Sequence, residues 1–217
     1  MLAASHPVLV VPELTIFDAS AGRDVRLTDV GIDADYVRDE QGRVRYFSLD
    51  EAEAYLHGAG KSLPSLPLLL NIYLALADMA SGDEIAAHLL EQLDSAWDRC
   101  GTTIDPAEGC VIHADSVTGE RVHTGLSIPL EGDALEELFP RYPGFFQALL
   151  GVRDVDRLLE TAARRDKVPF YWYPRGPRRV MFGGGNFYYM HTDIPGLLMV
   201  FCDDEPHPRR TLRGVWC

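Results

Sequence analysis

Residues 178–217 read RRVMFGGGNFYYMHTDIPGLLMVFCDDEPHPRRTLRGVWC, and the class of the fold turns on how this stretch is read. Residues 179–182, 187–190 and 197–202 have the apolar and aromatic content of short strands. The glycines Gly183, Gly184 and Gly185 interrupt the first of them, as happens where the backbone bulges or approaches a neighbour too closely for a Cβ. Between the strands the side chains follow neither the period of two of a half-buried strand nor the 3.6 spacing of a helix. Asn186, Tyr188, Tyr189, His191, Asp193, Phe201, Asp203, Asp204, His207, Arg209 and Arg210 crowd this interval. Tyrosine, histidine, aspartate and arginine at that density make a contact surface, because aromatic and arginine side chains carry most binding energy per residue. The chain then closes on Leu212-Arg213-Gly214-Val215-Trp216.

Working back from this block, residues 168–173 read as a further strand, and residues 134–139, 144–150 and 154–165 as helices. Residues 100–132 read as turns and short strands, best at 111–113 and 122–128. Two helices lie further upstream. One opens at Ser65 and Pro67 and is apolar on several sides (Leu68, Leu69, Ile72, Tyr73, Leu76, Met79), which predicts a buried helix. The other carries a capping box, Ser81 with Glu84, and a stripe of Ile85, Leu89, Leu93 and Trp97 with Ala86 and Leu90 beside it. A third capping box, Ser48 with Glu51, starts a helix with Ala52, Tyr55 and Leu56 inward and Gly58 and Gly60 at its end. Before it come two short strands, at 8–11 and 14–17, and a hairpin turning at 38–43. Strands, then helices, then strands predict an α+β class rather than alternating α/β. The chain is read as one domain, with N-terminal strands in 1–47, helices and inserted loops in 48–165, and C-terminal strands with the variable region in 166–217.

Bulk properties narrow the function. A length of 217 residues, 47% apolar and 24% charged, is enough for a sizeable core and ordinary for a globular protein. No apolar run reaches the roughly 18 residues of a membrane span. The first eleven residues lack a basic segment and are punctuated by Pro7, so no signal peptide is read, and a cytoplasmic or virion-associated location is expected. The net charge of −13 argues against non-specific nucleic-acid binding. It is unevenly spread: residues 168–217 carry about +2 and the rest about −15. Cys100, Cys110, Cys202 and Cys217 lack metal-type spacing and are too sparse for a disulfide scaffold. Free thiols are expected, with a Cys100–Cys110 bridge left open.

Three small groups of histidine and acid could in principle supply metal ligands: His113 and Asp115 with His123, His191 with Asp193, and Asp203 and Asp204 with His207. None has the i, i+4 spacing of a helical metal pair, and no metal or cofactor is assigned. The glycine triplet is no phosphate loop, since it lacks a Gly-Lys-Ser/Thr ending and precedes a strand. Cys202 beside His207 would be a poor nucleophile, because Asp203 and Asp204 raise a thiol's pKa. Arg175, Arg178 and Arg179 around Tyr171-Trp172-Tyr173 are either a solvated strand edge or a binding patch.

The C-terminal block resembles the variable region of proteins diversified by retroelements. In that family a C-type lectin fold displays residues scrambled by adenine-directed mutagenesis between a Gly-Gly-x-Trp strand and a closing Arg-Gly-Val. Here Gly184-Gly185-Asn186-Phe187 stands in the first place, with Phe for Trp, and Arg213-Gly214-Val215 in the second. Upstream, Phe47-Ser48-Leu49-Asp50-Glu51-Ala52 and Gly60-Lys61-Ser62-Leu63-Pro64-Ser65 resemble the helix and Leu-Pro-Thr segment of the formylglycine-generating-enzyme branch. The resemblance covers about half the chain, in two islands. It implies a C-type-lectin-like scaffold with a short twisted antiparallel sheet, flanking helices and a C-terminal variable surface. Gly184, Gly185, Phe187, Arg213 and Gly214 would be scaffold, and the crowded residues named above would bind a ligand, a protein or a cell-surface group, with no catalytic residue. The cysteine pair of the enzymes is not reproduced in context by Cys202 and Cys217. Two other readings stay open: an oxidase or metal-dependent hydrolase using Cys202, His191 or His207, and a virion or assembly subunit.

Overall fold

Buried and exposed side chains alternate along β1 (Val8–Asp18) on either side of Pro12, with Leu9, Val11, Leu14 and Ile16 turned into the core. The computed structural model describes residues 8–45, 47, 49–95, 97–173, 176–184, 197–202, 210–211 and 213–216. β1 pairs antiparallel with β2 (Arg23–Asp33) along its length. Asp18 closes the turn by accepting from the N–H groups of Ser20 (3.0 Å) and Ala21 (3.1 Å). One long hairpin thus replaces the two short strands expected. Pro12 does not break it, because β1 is an edge strand. β2 escapes a pattern reading because its first half is solvated while Val30–Asp33 is buried on consecutive residues. The hairpin expected around 38–43 is only a turn with a single bridge, Arg38 to Val44, held by Asp39.

The first helix, α1 (Leu49–Gly58), buries Ala52 and Leu56. Tyr55, expected inward, is 37% exposed and stacks on Phe47, ring centroids 5.2 Å apart. Ser48, half of the expected capping box, lies outside the described residues. α2 (Leu66–Met79) is the centre of the molecule: it packs on β1 and on three further helices described below, and Leu66, Leu68, Leu69, Leu70 and Ile72 are buried around its circumference. Pro67 sits in its first turn, where its missing N–H costs nothing.

α3 (Glu84–Ser95) is capped by Asp83, which accepts from Ile85 N (2.9 Å) and Ala86 N (3.0 Å), and not by Ser81. Its buried stripe is Ala86, Leu89, Leu90 and Leu93. Ile85 is 44% exposed, and residue 97 has already left the helix for the next strand, so the stripe expected from sequence holds at Leu89 and Leu93, with Ala86 and Leu90 beside them, and loses both its ends.

The larger sheet is built from β3 (Trp97–Asp105), β4 (Cys110–Asp115), β5 (Gly119–His123), β6 (Asp133–Ala134), β7 (Val168–Tyr171), β8 (Arg178–Gly184), β9 (Leu197–Cys202) and β10 (Arg210–Thr211). Its order is β5-β4-β3-β8-β9-β7-β6, with β10 adding to β3, and its pairs are antiparallel except β7 with β9 and β3 with β10. β5 stops at His123, short of the strand expected to run to 128. α4 (Leu135–Leu138), α5 (Pro143–Leu150) and α6 (Asp156–Ala163) cover the same face as α2; α4 and α6 are shorter than their sequence patterns, and α5 matches its own to within a residue. α5 ends at Gly151 in the left-handed conformation, where a Cβ would stand 2.5 Å from Pro67 Cβ. Tyr171 meets Phe145 and Phe146 edge-on at 5.6 and 5.3 Å.

A last strand, β11 (Val215–Trp216), pairs with β2, completing a three-stranded sheet β1-β2-β11. One apolar core runs through both sheets and α2, α3 and α5. The class is α+β. Among the described residues no helix is long and apolar enough to cross a membrane.

Because α2 has no solvated face to relax into, truncation there should be costly. Leu69→Ala is expected to lower the unfolding free energy by about 2–5 kcal/mol, read as a shift of the urea midpoint at unchanged slope.

Candidate functional site

The C-terminal block is fastened by one side chain. Arg213 is 1% exposed. Its Nε donates to Asp98 Oδ2 (3.0 Å), its Nη1 to the Asp33 carbonyl (3.1 Å), and its Nη2 to Gln92 Oε1. The guanidinium lies over the Tyr36 ring, 4.2 Å from the centroid. Burial alone works against the charge, but the Asp98 carboxylate outweighs it and holds the Arg213 pKa above its ordinary value. Four parts of the chain, β2, the residues after it, α3 and β3, therefore converge on one cation.

Gly214 continues the clasp. Its N–H donates to Asp33 Oδ2 (3.0 Å) and its carbonyl accepts from Asp33 N (3.1 Å). A Cβ at 214 would stand 2.7 Å from Lys61 Cδ and 2.9 Å from Leu56 Cδ2, so close approach dictates glycine there. Lys61 pairs with Asp33 and lies over Trp216, 4.3 Å from its ring centroid. The Trp216 indole in turn covers Gly31, where a Cβ would fall 2.4 Å from Cε2.

The segment 61–66 is the seam between the two sheets. Ser62 and Val215 exchange backbone bonds (3.2 and 3.0 Å). Pro64 O accepts from Gly101 N (2.7 Å), Asp115 Oδ2 from Ser65 N (3.2 Å), and Thr102 Oγ1 from Leu66 N (2.8 Å). Gly101 has no alternative residue, since a Cβ would lie 2.1 Å from Ala114 O.

Above this anchor, the ends of the crowded interval gather. Arg210 pairs with Trp97, Trp97 with Gly183, and Gly183 with Met199, placing four strands in one row. The row spans three inter-strand steps, roughly 14 Å. The chain leaves β8 after Gly184, re-enters at Leu197 and re-enters again at Arg210, all at this end of the sheet. It leaves β9 after Cys202 at the opposite end, beside Val180. Phe201 pairs with Met181, one row from Cys202. Gly185, Asn186, Phe187, Tyr188, Tyr189, His191, Asp193, Asp203, Asp204, His207 and Arg209 lie outside the described residues, as does Arg175.

The aromatic–arginine patch suggested by Tyr171-Trp172-Tyr173 is divided. Tyr171 is in the core, Tyr173 packs against it, Trp172 is 37% exposed, and Arg179 pairs with Glu53 (3.0 Å). Cys100 and Cys110 are buried free thiols. Comparison with family models, curated proteins and solved structures returned no match.

His113 and His123 meet, but as structure, and Asp115 is engaged elsewhere. The His rings lie edge-on at 5.5 Å, and Asp115 is spent on the N–H groups of Ser65, Val117 and Thr118. Among the described residues no three His, Cys, Asp or Glu are grouped to hold a metal. The His113 tautomer follows from its partners: Ala148 O can only accept, so Nε2 carries the proton (2.9 Å), and Nδ1 accepts from the Thr102 hydroxyl (2.9 Å). Burial pushes the His113 pKa down to about 3, with Arg121 and His123 adding to the effect.

The residues that make the clasp, Asp33, Tyr36, Lys61, Gln92 and Asp98, carry no sequence signal of their role. They sit in unrelated elements, and only Arg213 and Gly214 were marked, by their place in the closing motif.

Two outcomes follow. Asp98→Asn or Arg213→Met should cost about 3–5 kcal/mol, because each strands a buried partner, and urea unfolding would show it. For His113, the folded pKa lies below the ordinary 6.5. Its contribution is therefore complete above pH 6.5 and is lost as pH falls towards 3, at roughly 1.4 kcal/mol per pH unit. Unfolding free energies at pH 7 and 4 should differ by about 3 kcal/mol from this group, and His113→Gln should flatten that slope.

Proposed function

We propose that this chain is a ligand-binding protein of the retroelement-diversified type. On this reading a C-type-lectin-like scaffold presents residues between Gly185 and Arg210 to a protein or cell-surface ligand, and the chain is not an enzyme. The observation that supports it most is the anchoring of the interval. Immediately after the crowded residues the chain enters a buried ion pair and two glycine contacts that tolerate no Cβ, at Arg213-Gly214 and, across the β2–β11 pair, at Gly31. Before them it leaves a strand paired on both sides. A segment pinned in this way can change its side chains without drawing on the core, since exposed substitutions usually shift stability by under about 0.5 kcal/mol.

Tyr188, Tyr189 and Phe201 supply aromatic anchors in this reading, and Asp193, Asp203, Asp204, Arg209 and Arg210 set electrostatic selectivity. Asn186, His191 and His207 complete the surface. Three chain junctions at one end of a sheet support a footprint centred there, with Phe201 and Cys202 lying towards the opposite end of β9.

The test is genetic and physical. The DNA beside the gene should hold a non-coding near-copy of codons 180–217, differing only where the copy carries adenine, next to a reverse transcriptase gene. Replacing Tyr188, Tyr189, His191, Asp203 and His207 together should leave the melting temperature within about 4 °C while abolishing ligand capture. Loss of turnover on Cys202→Ser or His191→Ala would instead favour an enzyme, and loss of oligomerisation an assembly subunit.

A further inference from the structure

On the side of the molecule formed by β1, α2 and the entry to α6 lies a cleft of about 210 Å³. Its floor is apolar, with Leu74 and Leu158 each 2% exposed. One polar side chain reaches the floor: Asn71, 7% exposed. Its amide orientation is fixed, because Nδ2 donates to the Pro67 carbonyl (2.8 Å), a group that can only accept. Oδ1 is left without a protein donor among the described residues. Oδ1 opens on the cleft, where it can accept from a donor that enters.

The rim carries both signs of charge. Arg153 is drawn to Asp24 (3.1 Å) and lies over the Phe17 ring at 4.5 Å. Arg157, in the first turn of α6, is held by Asp78 (2.6 Å). Asp154 lies between them in sequence and accepts from Asp156 N (3.2 Å). The guanidiniums are thus positioned before any ligand arrives, and the cleft offers cations, carboxylates and a neutral acceptor around an apolar floor.

We propose that this cleft binds a small zwitterion, a free α-amino acid with an apolar side chain. Its ammonium group donates to Asn71 Oδ1 under the influence of the rim aspartates, its carboxylate is taken by Arg153 and Arg157, and its side chain covers Leu74 and Leu158. The volume corresponds to roughly seven waters at about 30 Å³ each, enough for a molecule of leucine's size and too small for a typical drug-sized ligand. The site is independent of the C-terminal surface, since none of its residues belongs to that interval.

The experiment is an amide-resolved NMR titration of the full chain with leucine to about 20 mM, above the millimolar range of weak small-ligand sites. The result expected is saturable shifts confined to Asn71, Arg153, Arg157 and their neighbours. 4-Methylpentanoate, which lacks the ammonium, and leucinamide, which lacks the carboxylate, should each bind at least about tenfold more weakly. Arg157→Gln, on an exposed side chain, should weaken leucine binding with an unchanged melting temperature, and Asn71→Leu should abolish it in a protein whose folding is checked by its spectrum. No saturable shift, shifts elsewhere on the surface, or equal binding of 4-methylpentanoate would overturn the proposal, the last by showing a plain anion site.

Discussion

A guanidinium withdrawn from water with one carboxylate for company is the constraint on which the rest of this structure depends. Arg213 and Asp98 come from positions 115 residues apart, so their pairing closes a very long loop, whose entropy must be met by the contacts it enables. The pair is not a favourable bargain by Coulomb attraction alone, because desolvation of two ions offsets most of it. What makes it hold is saturation: Gln92, the Asp33 carbonyl and the Tyr36 ring take the remaining faces of the guanidinium. An unsatisfied version would destabilise the fold by several kcal/mol, which makes the arrangement specific as well as stable.

From that point the two sheets are joined. Arg213 ties β3 of the larger sheet to the end of β2 in the smaller one, and Val215 then pairs with both β2 and Ser62. The segment 61–66 finishes the join by spending its backbone groups on Val215, Gly101, Thr102 and Asp115. His113 extends the same network into α5 through Ala148. Proton, charge and backbone bonds therefore share one buried seam, and acid, mutation and chain breakage at the seam act on the same cooperative unit. The residues proposed for recognition are not among those that make the seam, which is the separation a changeable surface needs.

Legibility in the sequence followed the kind of force involved. α2 could be read because burial on all sides leaves an apolar residue at nearly every position, and α5 and α6 because an amphipathic stripe survives in a short helix. α3 keeps the middle of its stripe, Leu89 and Leu93, and loses the ends: Asp83 outcompetes Ser81 as cap, Ile85 is exposed, and the start of β3 at residue 97 removes the last member. β2 and β3 were illegible for a shared reason. Val30-Gly31-Ile32-Asp33 and Asp98-Arg99-Cys100-Gly101 mix glycine and charge with apolar residues because each polar or missing side chain answers a neighbour far along the chain: Asp33 answers Gly214 and Lys61, Asp98 answers Arg213, Gly31 makes room for Trp216, and Gly101 for Ala114.

The sequence by itself determined the class of the fold, the buried central helix, the acidic surface and the two glycine-marked ends of the C-terminal block. These depend on local pattern and composition, which are properties of neighbouring residues. Only the tertiary structure decided that Arg213 is a buried ion rather than a surface one, that Lys61 to Leu66 is a seam, and that Gly184, Leu197 and Arg210 come to one end of a sheet. It alone left Asn71 Oδ1 facing a cleft. Each of these is a relation between residues tens to hundreds of positions apart, fixed by packing that excludes a Cβ or by a buried polar atom that must find its partner, and neither condition leaves a trace in the pattern of adjacent residues.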